Sequence, residues 1–290
     1  MPTIQRLHRR YPWLLLLAAS AVAAAFLLYA GRALSFHYDE WDFIQRRRGT
    51  SPDTFLRPHN GHLSALPIAY YKAMLQIFGL HHYWVYRLVV VALHTVAAWL
   101  LFWLLRPRLG PVLGSLGAML LLFLGASWEN LVWGIGVGFL GSVVAGLAML
   151  VALDRESRHG NVVAAVALTL ALGCSSIGVP FLILAVVELG VRRRWRRLAG
   201  VVAPAVVLYG VWLLGWGSEH TLLRSNLAAV PAYVFDMAAA AFAALAGLAG
   251  TPPGRRLRCW RPLPSWWPPT TGTPARAASV RSRGLRRIGF

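Results

Sequence analysis

Apolar runs at residues 13–30, 85–105, 111–126, 131–153, 162–189, 198–216 and 227–250 leave this chain few ways to fold. In hydrocarbon every backbone N–H and C=O must find a partner within the protein, so runs of this length become helices rather than open strands. The first run has 18 residues; at ~1.5 Å each it reaches ~27 Å, close to the thickness of a bilayer core. A cleaved signal peptide is the rival reading of this first run, since small residues follow its apolar centre. With 57% of 290 residues hydrophobic, the chain is too apolar for a water-soluble domain of its length. The expectation is an all-α, polytopic transmembrane helix bundle of about six to eight membrane segments.

The net charge of +19 would suggest nucleic-acid binding in a soluble protein. Here the basic residues fall in short runs between apolar segments, where they set orientation. Membrane lipid is the expected partner and nucleic acid is not. Arg6, Arg9 and Arg10 precede the first run, which keeps the N-terminus cytoplasmic and puts the next interval outside. Four regions follow: an N-terminus and first helix (1–34), an outer loop with juxtamembrane helices (35–84), a transmembrane bundle (85–250) and a basic tail (251–290). The tail has nine arginines, seven prolines and no acid. It reads as disordered basic chain or as the frame-shifted end of a longer protein.

Within 162–189 the cluster Cys174-Ser175-Ser176-Ile177-Gly178-Val179-Pro180 breaks helical patterning. Arginines flank both ends of this run, so a hairpin of two short arms satisfies the positive-inside rule where a single crossing would not. Gly134, Gly136, Gly138 and Gly141 favour close helix packing. Asp236, in the last run, is expected to face the bundle interior.

The interval 35–63 holds Asp39, Glu40, Asp42 and Asp53, four of the ten acidic residues, and His37, His59 and His62. If Tyr38-Asp39-Glu40-Trp41-Asp42 is helical, Asp39 and Asp42 share a face. A carboxylate here can take a proton from a hydroxyl acceptor, or Asp39 and Glu40 can hold a divalent cation, magnesium or manganese. The plainer alternative is a solvated juxtamembrane turn. His59 and His62 can hydrogen-bond a phosphate, or simply pack against the acids. Glu129 lies in a short turn between two runs, as a surface residue or as a second carboxylate facing the first. Arg57 and Arg87 are basic residues on the outer side, suited to a lipid phosphate or to head-group contact.

An Asp-Glu pair after the first span, a large first outer loop and many short-looped spans resemble the GT-C superfamily of membrane glycosyltransferases. YDEWDF, RPHNGHL, WENLVWGIGVGF, SSIGVPF and YGVWLLGWG resemble a bacterial branch of that group over residues 10–250. The resemblance implies transfer of a sugar from a polyprenyl-phosphate-linked donor on the outer face of the inner membrane. It implies Asp39 as catalytic acid with Glu40 beside it and Glu129 as a second acid; Arg57, His59, His62 and Arg87, from their own chemistry and position, are the candidate substrate-binding residues. It also implies an acid where Gly61 stands, and further spans beyond residue 250. The alternative is a non-catalytic protein, such as a transporter of lipid-linked substrate, a scaffold or an inactive fragment.

Overall fold

The computed structural model describes residues 2–217 and 229–245. Residues 218–226, most of the expected last outer loop, and the basic tail lie outside the described residues.

Helix α1 (Pro2–Ala30) carries the first apolar run. Leu16, Ser20, Ala23 and Leu27, at helical spacing, are buried against the bundle. Leu14, Leu17, Val22 and Phe26 on the other side are 57–64% exposed. A helix facing water carries polar residues at such positions, so an apolar outer stripe fits lipid. Trp99 Nε1–H donates to Ser20 Oγ at 3.2 Å, joining α1 to the helix that follows the cap.

The interval after α1 folds into short helices: α2 (Asp39–Trp41), a π-helical turn (Asp42–Arg46), α3 (Pro52–Leu56) and α4 (Ala65–Phe78). They form a cap whose core contains Phe36, Phe43, Ile68, Tyr71 and Tyr86. Helix α5 (Tyr83–Leu122) has 40 residues, ~60 Å if straight and about twice the hydrocarbon thickness. It reverses at Gly110, where φ is 83° and ψ 168°, a conformation open to glycine. Pro107 and Pro111 flank the reversal. The arms 83–109 and 111–122 lie together: Ala98 and Phe102 pack with Ala118 and Leu122, and His94 Nε2 meets the Leu122 carbonyl oxygen at 3.1 Å. The two crossings expected at 85–105 and 111–126 are these arms.

A 3₁₀ turn (Gly125–Ser127) and α6 (Trp128–Val132) lead to α7 (Gly136–Leu153). The crossing expected from residue 131 starts later because Trp133 is extended. The backbone here presses against the cap: a Cβ on Gly134 would lie 2.7 Å from Glu40 Oε1 and 2.8 Å from Tyr71 Oη. Helices α8 (Arg158–Cys174) and α9 (Gly178–Val191) form a hairpin around Ser175–Ile177. An ion pair of 3.2 Å between Glu156 and Arg194 closes its open end. Ser157 caps α8 by accepting from the Gly160 N–H at 3.0 Å.

Helix α10 (Trp195–Trp216) returns to the cap, where Trp212 Nε1–H donates to the Leu56 carbonyl at 2.7 Å and Trp216 Nε1–H to Asp53 Oδ1 at 2.8 Å. A second core joins α7 to α10 through Met149, Leu153, Leu168, Ala185, Leu189 and Val201. Small residues let these helices approach: a Cβ on Gly141 would lie 2.9 Å from Cys174 Sγ, and Ser142 Oγ donates to the Ala171 carbonyl at 2.7 Å. Helix α11 (Val230–Leu245) is last. Residues 230–242 are exposed on all sides, so Asp236 does not face the bundle interior as expected.

Helices α1, α5, α7 and α10 are long and apolar enough to cross a membrane, and α8, α9 and α11 are shorter apolar helices. No strand forms among the described residues. The chain is a helical membrane bundle. One end carries the cap. The other carries the arginines at the reversal of α5, before α8 and after α9, with Arg108 paired to Asp154 at 2.7 Å.

Candidate functional site

The adjacent carboxylates Asp39 and Glu40 point to different environments. Glu40 is fully buried. Its Oε1 accepts from Tyr71 Oη at 2.5 Å, Tyr83 Oη lies 3.1 and 3.0 Å from its two oxygens, and the His37 N–H donates to Oε2 at 2.8 Å. Burial pushes the Glu40 carboxyl above its ordinary value, with these hydrogen bonds opposing the shift. Glu40 therefore ties α2 to α4, α5 and the Gly134 backbone, and it is not presented to a substrate.

Asp39 faces outward, its side chain 48% exposed. Its Oδ2 accepts from Asn60 Nδ2–H at 3.0 Å and lies 3.5 Å from His59 Nε2. The other ring nitrogen, His59 Nδ1, lies 3.0 Å from Asp42 Oδ2. One imidazole is thus held between two carboxylates on a shared face, as the spacing of Asp39 and Asp42 suggests.

His59 and His62 do not form a side-chain pair. They exchange backbone hydrogen bonds at 3.0 and 2.9 Å around Asn60 and Gly61. Both central residues have positive φ, 47° and 85°, as in a type I′ turn. Asn-Gly is the strongest short-range signal for that turn, and it accounts for glycine where the resemblance implies an acid. The turn aims Asn60 at Asp39 and sends His62 to the break between α8 and α9, where its Nδ1 lies 2.8 Å from Ser176 Oγ. Arg47 holds the segment leading into the turn: its guanidinium is buried and donates to the Arg57 and Pro58 carbonyls, both at 2.7 Å.

Two cavities meet at Asp39, His59 and Asn60. The outer one, about 530 Å³, is a polar groove that also reaches Tyr38, Arg46 and Arg57. The inner one, about 110 Å³, runs between α4, α7 and the end of α8, past Pro67, Phe139 and Cys174. Tyr38 is 80% exposed and Trp41 39% exposed at the groove. Tyr38 has φ 41° and ψ −111°, so positive-φ non-glycine residues stand on both sides of the Asp39 carboxylate, at Tyr38 and Asn60.

No family model, curated protein or solved structure matches this chain. Geometry and chemistry are the basis for reading the site.

Of the residues singled out in the sequence, Asp39, Arg57 and His59 gather at the groove, and His62 lines the inner cavity. Glu129 is exposed on α6 and lines neither cavity. Arg87 does not reach the groove either. It is buried, donating from Nε to the Val132 carbonyl at 2.8 Å and from Nη2 to the Leu27 carbonyl at 2.6 Å, with the Leu28 carbonyl at 3.4 Å. The Leu27 and Leu28 carbonyls belong to the last turn of α1, at the negative end of its dipole, and the Leu27 carbonyl also accepts from the Gly31 N–H at 3.2 Å; the Val132 carbonyl closes α6. Arg87 is a helix cap, not a phosphate ligand. A cation between Asp39 and Glu40 does not fit, because the Glu40 oxygens are enclosed by their donors. Among the described residues, no group of three or more His, Cys, Asp or Glu side chains converges as metal ligands. Asn60 was not among the sequence candidates; the Asn-Gly turn signal points to it.

Proposed function

We propose that this chain is, or forms part of, a membrane glycosyltransferase that moves a sugar from a polyprenyl phosphate to an acceptor hydroxyl bound beside Asp39. The observation that carries this reading is the position of Asp39, an accessible carboxylate where a polar groove meets an apolar cleft. A lipid-linked donor needs both surfaces: a polar one for sugar and phosphate, an apolar one for the first lipid carbons. Asp39 accepts the proton of the acceptor hydroxyl as its oxygen forms a bond to the anomeric carbon. The bond from that carbon to the phosphate oxygen breaks, and the phosphate leaves with the electron pair. Arg46 and Arg57, both at the groove, neutralise the departing phosphate. Asn60 and His59 fix the Asp39 carboxylate. The exposed faces of Tyr38 and Trp41 offer flat surfaces to a sugar ring. The strained backbone at Tyr38, next to Asp39, is a feature that clusters at functional sites. The bacterial inner-membrane location rests on the resemblance, and the positive-inside rule supports an orientation with the arginine-rich end cytoplasmic and the cap outside.

The test is sugar transfer in membranes containing the full chain, with a panel of radiolabelled polyprenyl-phosphate sugars, against Asp39→Asn. Loss of transfer with unchanged membrane insertion is the expected result. Transfer that survives the substitution would sink the assignment.

One observation favours a second reading, transport of a lipid-linked substrate without chemistry. The α8–α9 break is contacted by the cap through His62 and Ser176, and broken helices are a recurring device of transporters. Movement of labelled lipid across vesicles without sugar transfer would select that reading.

A further inference from the structure

At the arginine-rich end, on the lipid side of the bundle, a groove of about 560 Å³ runs between α8 and α10. Its walls are almost wholly apolar, with Val162, Val166, Leu170 and Leu208 exposed along it. Gly200 and Pro204 lower one wall, and a Cβ on Gly200 would meet nothing within 4 Å. From Arg158 to Leu170 the groove follows α8 for ~18 Å, a little over half of the ~30 Å hydrocarbon core. That is the reach of one acyl chain within one leaflet.

The polar mouth of the groove is Arg158 and Asn161. Of the neighbouring arginines, Arg192 pairs with Glu188, Arg194 with Glu156, and Arg197 with Asn161 Oδ1 and the Leu153 carbonyl, whereas Arg155, Arg193 and Arg196 are exposed outside the groove lining, which leaves Arg158 as the arginine at the mouth. The Arg158 side chain makes no ion pair or hydrogen bond among the described residues. The bond from Arg197 to Asn161 Oδ1 leaves the Asn161 amide Nδ2 as a further donor. A cation and an amide donor at the head of an acyl-length apolar groove are complementary to a single kind of molecule, one with an anionic head and a hydrocarbon tail. We infer that this groove is a binding site for an anionic phospholipid, with one acyl chain between α8 and α10 and its phosphate at Arg158. Basic mouths between membrane helices serve this role elsewhere. The site is at the opposite end of the bundle from Asp39 and does not depend on the reading of that residue.

The experiment is native mass spectrometry of the delipidated full chain, titrated with dioleoyl phosphatidylglycerol or with dioleoyl phosphatidylcholine. The wild type should retain one phosphatidylglycerol about five-fold more readily than phosphatidylcholine, the preference one basic residue confers. Arg158→Gln should bring the ratio close to one. Gly200→Leu, whose side chain enters open space in the groove, should weaken both lipids together. Arg196→Gln, an exposed arginine outside the groove lining, should leave the ratio unchanged. Equal retention of both lipids by the wild type would overturn the inference, as would unchanged phosphatidylglycerol retention in both groove variants. A change of oligomeric state in Gly200→Leu would also overturn it, by showing that a second copy fills the groove.

Discussion

Tyr71 donates its phenolic proton to Glu40 Oε1 at 2.5 Å, inside a core where Glu40 has no exposed surface. Thirty-one residues separate the two in sequence, and the bond fixes α4 against the turn that presents Asp39. The carboxyl that looks most like a catalytic partner of Asp39 is instead the part that holds it in place.

Glu40 should make stability depend on pH in a way opposite to most surface acids. Its folded-state pKa is raised from 4.5 by burial. The folded state therefore binds the proton more tightly than the unfolded one, and stability falls as pH rises. The contribution is complete below about pH 4.5 and is lost as pH climbs through the raised folded value. In detergent micelles, the thermal midpoint of the wild type should drop across that window more steeply than that of Glu40→Gln. Parallel slopes would contradict this. At fixed acidic pH the variant should still be less stable by about 1–3 kcal/mol, since buried donors lose their acceptor.

Gly61 occupies φ 85° in the turn that aims Asn60 at Asp39. Gly61→Ala and Gly61→Glu should each cost about 1–2 kcal/mol through the left-handed conformation alone. Introducing the acid implied by the resemblance should therefore lower the thermal midpoint without improving sugar transfer. A midpoint equal to wild type in both variants would mean that the turn is not held as described.

Arg87 should behave as a structural residue. Arg87→Met removes the donors to the Leu27, Leu28 and Val132 carbonyls and should destabilise the chain by about 3 kcal/mol. Gly31 makes room for this cap: a Cβ there would lie 2.1 Å from Arg87 Nη2. Gly31→Ala should be damaging in the wild type and much less so in Arg87→Met, a non-additivity that thermal unfolding of the double variant would read. Additive losses would place the two residues in separate interactions.

The α8–α9 hairpin predicts that both of its open ends lie on one side of the membrane. Accessibility reporters at Gly160 and Arg194 should give the same signal, and a cysteine pair replacing Glu156 and Arg194 should cross-link. Opposite signals from the two reporters would refute the hairpin.

The helices were legible because lipid imposes a pattern over tens of residues. Long apolar runs, the Ser175–Pro180 break and the arginines on both of its flanks each constrain backbone that is local in sequence. The cap was less legible for the converse reason. Asp39 and Glu40 are neighbours with the same chemistry, and only contacts from Tyr71, Tyr83 and Gly134 show which is inside. Arg87 looked like an outer-face cation because nothing in its own surroundings reveals that the end of α1, some sixty residues earlier, needs donors. The Asn60-Gly61 pair carried a readable turn signal, but two flanking histidines suggested ligands first. Glu129 was expected in a short turn between spans and lies instead on the short helix α6; whether it reaches the groove depends on how α6 packs, which local spacing does not encode.

The reversal at Gly110 bears on how the chain enters the bilayer. The arm 111–122 reaches only ~18 Å, too short to be taken up as a span by itself. With no loop between it and the arm 83–109, the two must partition from the insertion machinery as one unit. Biogenesis of this bundle would then proceed in paired strokes, first at Gly110 and again at the α8–α9 hairpin.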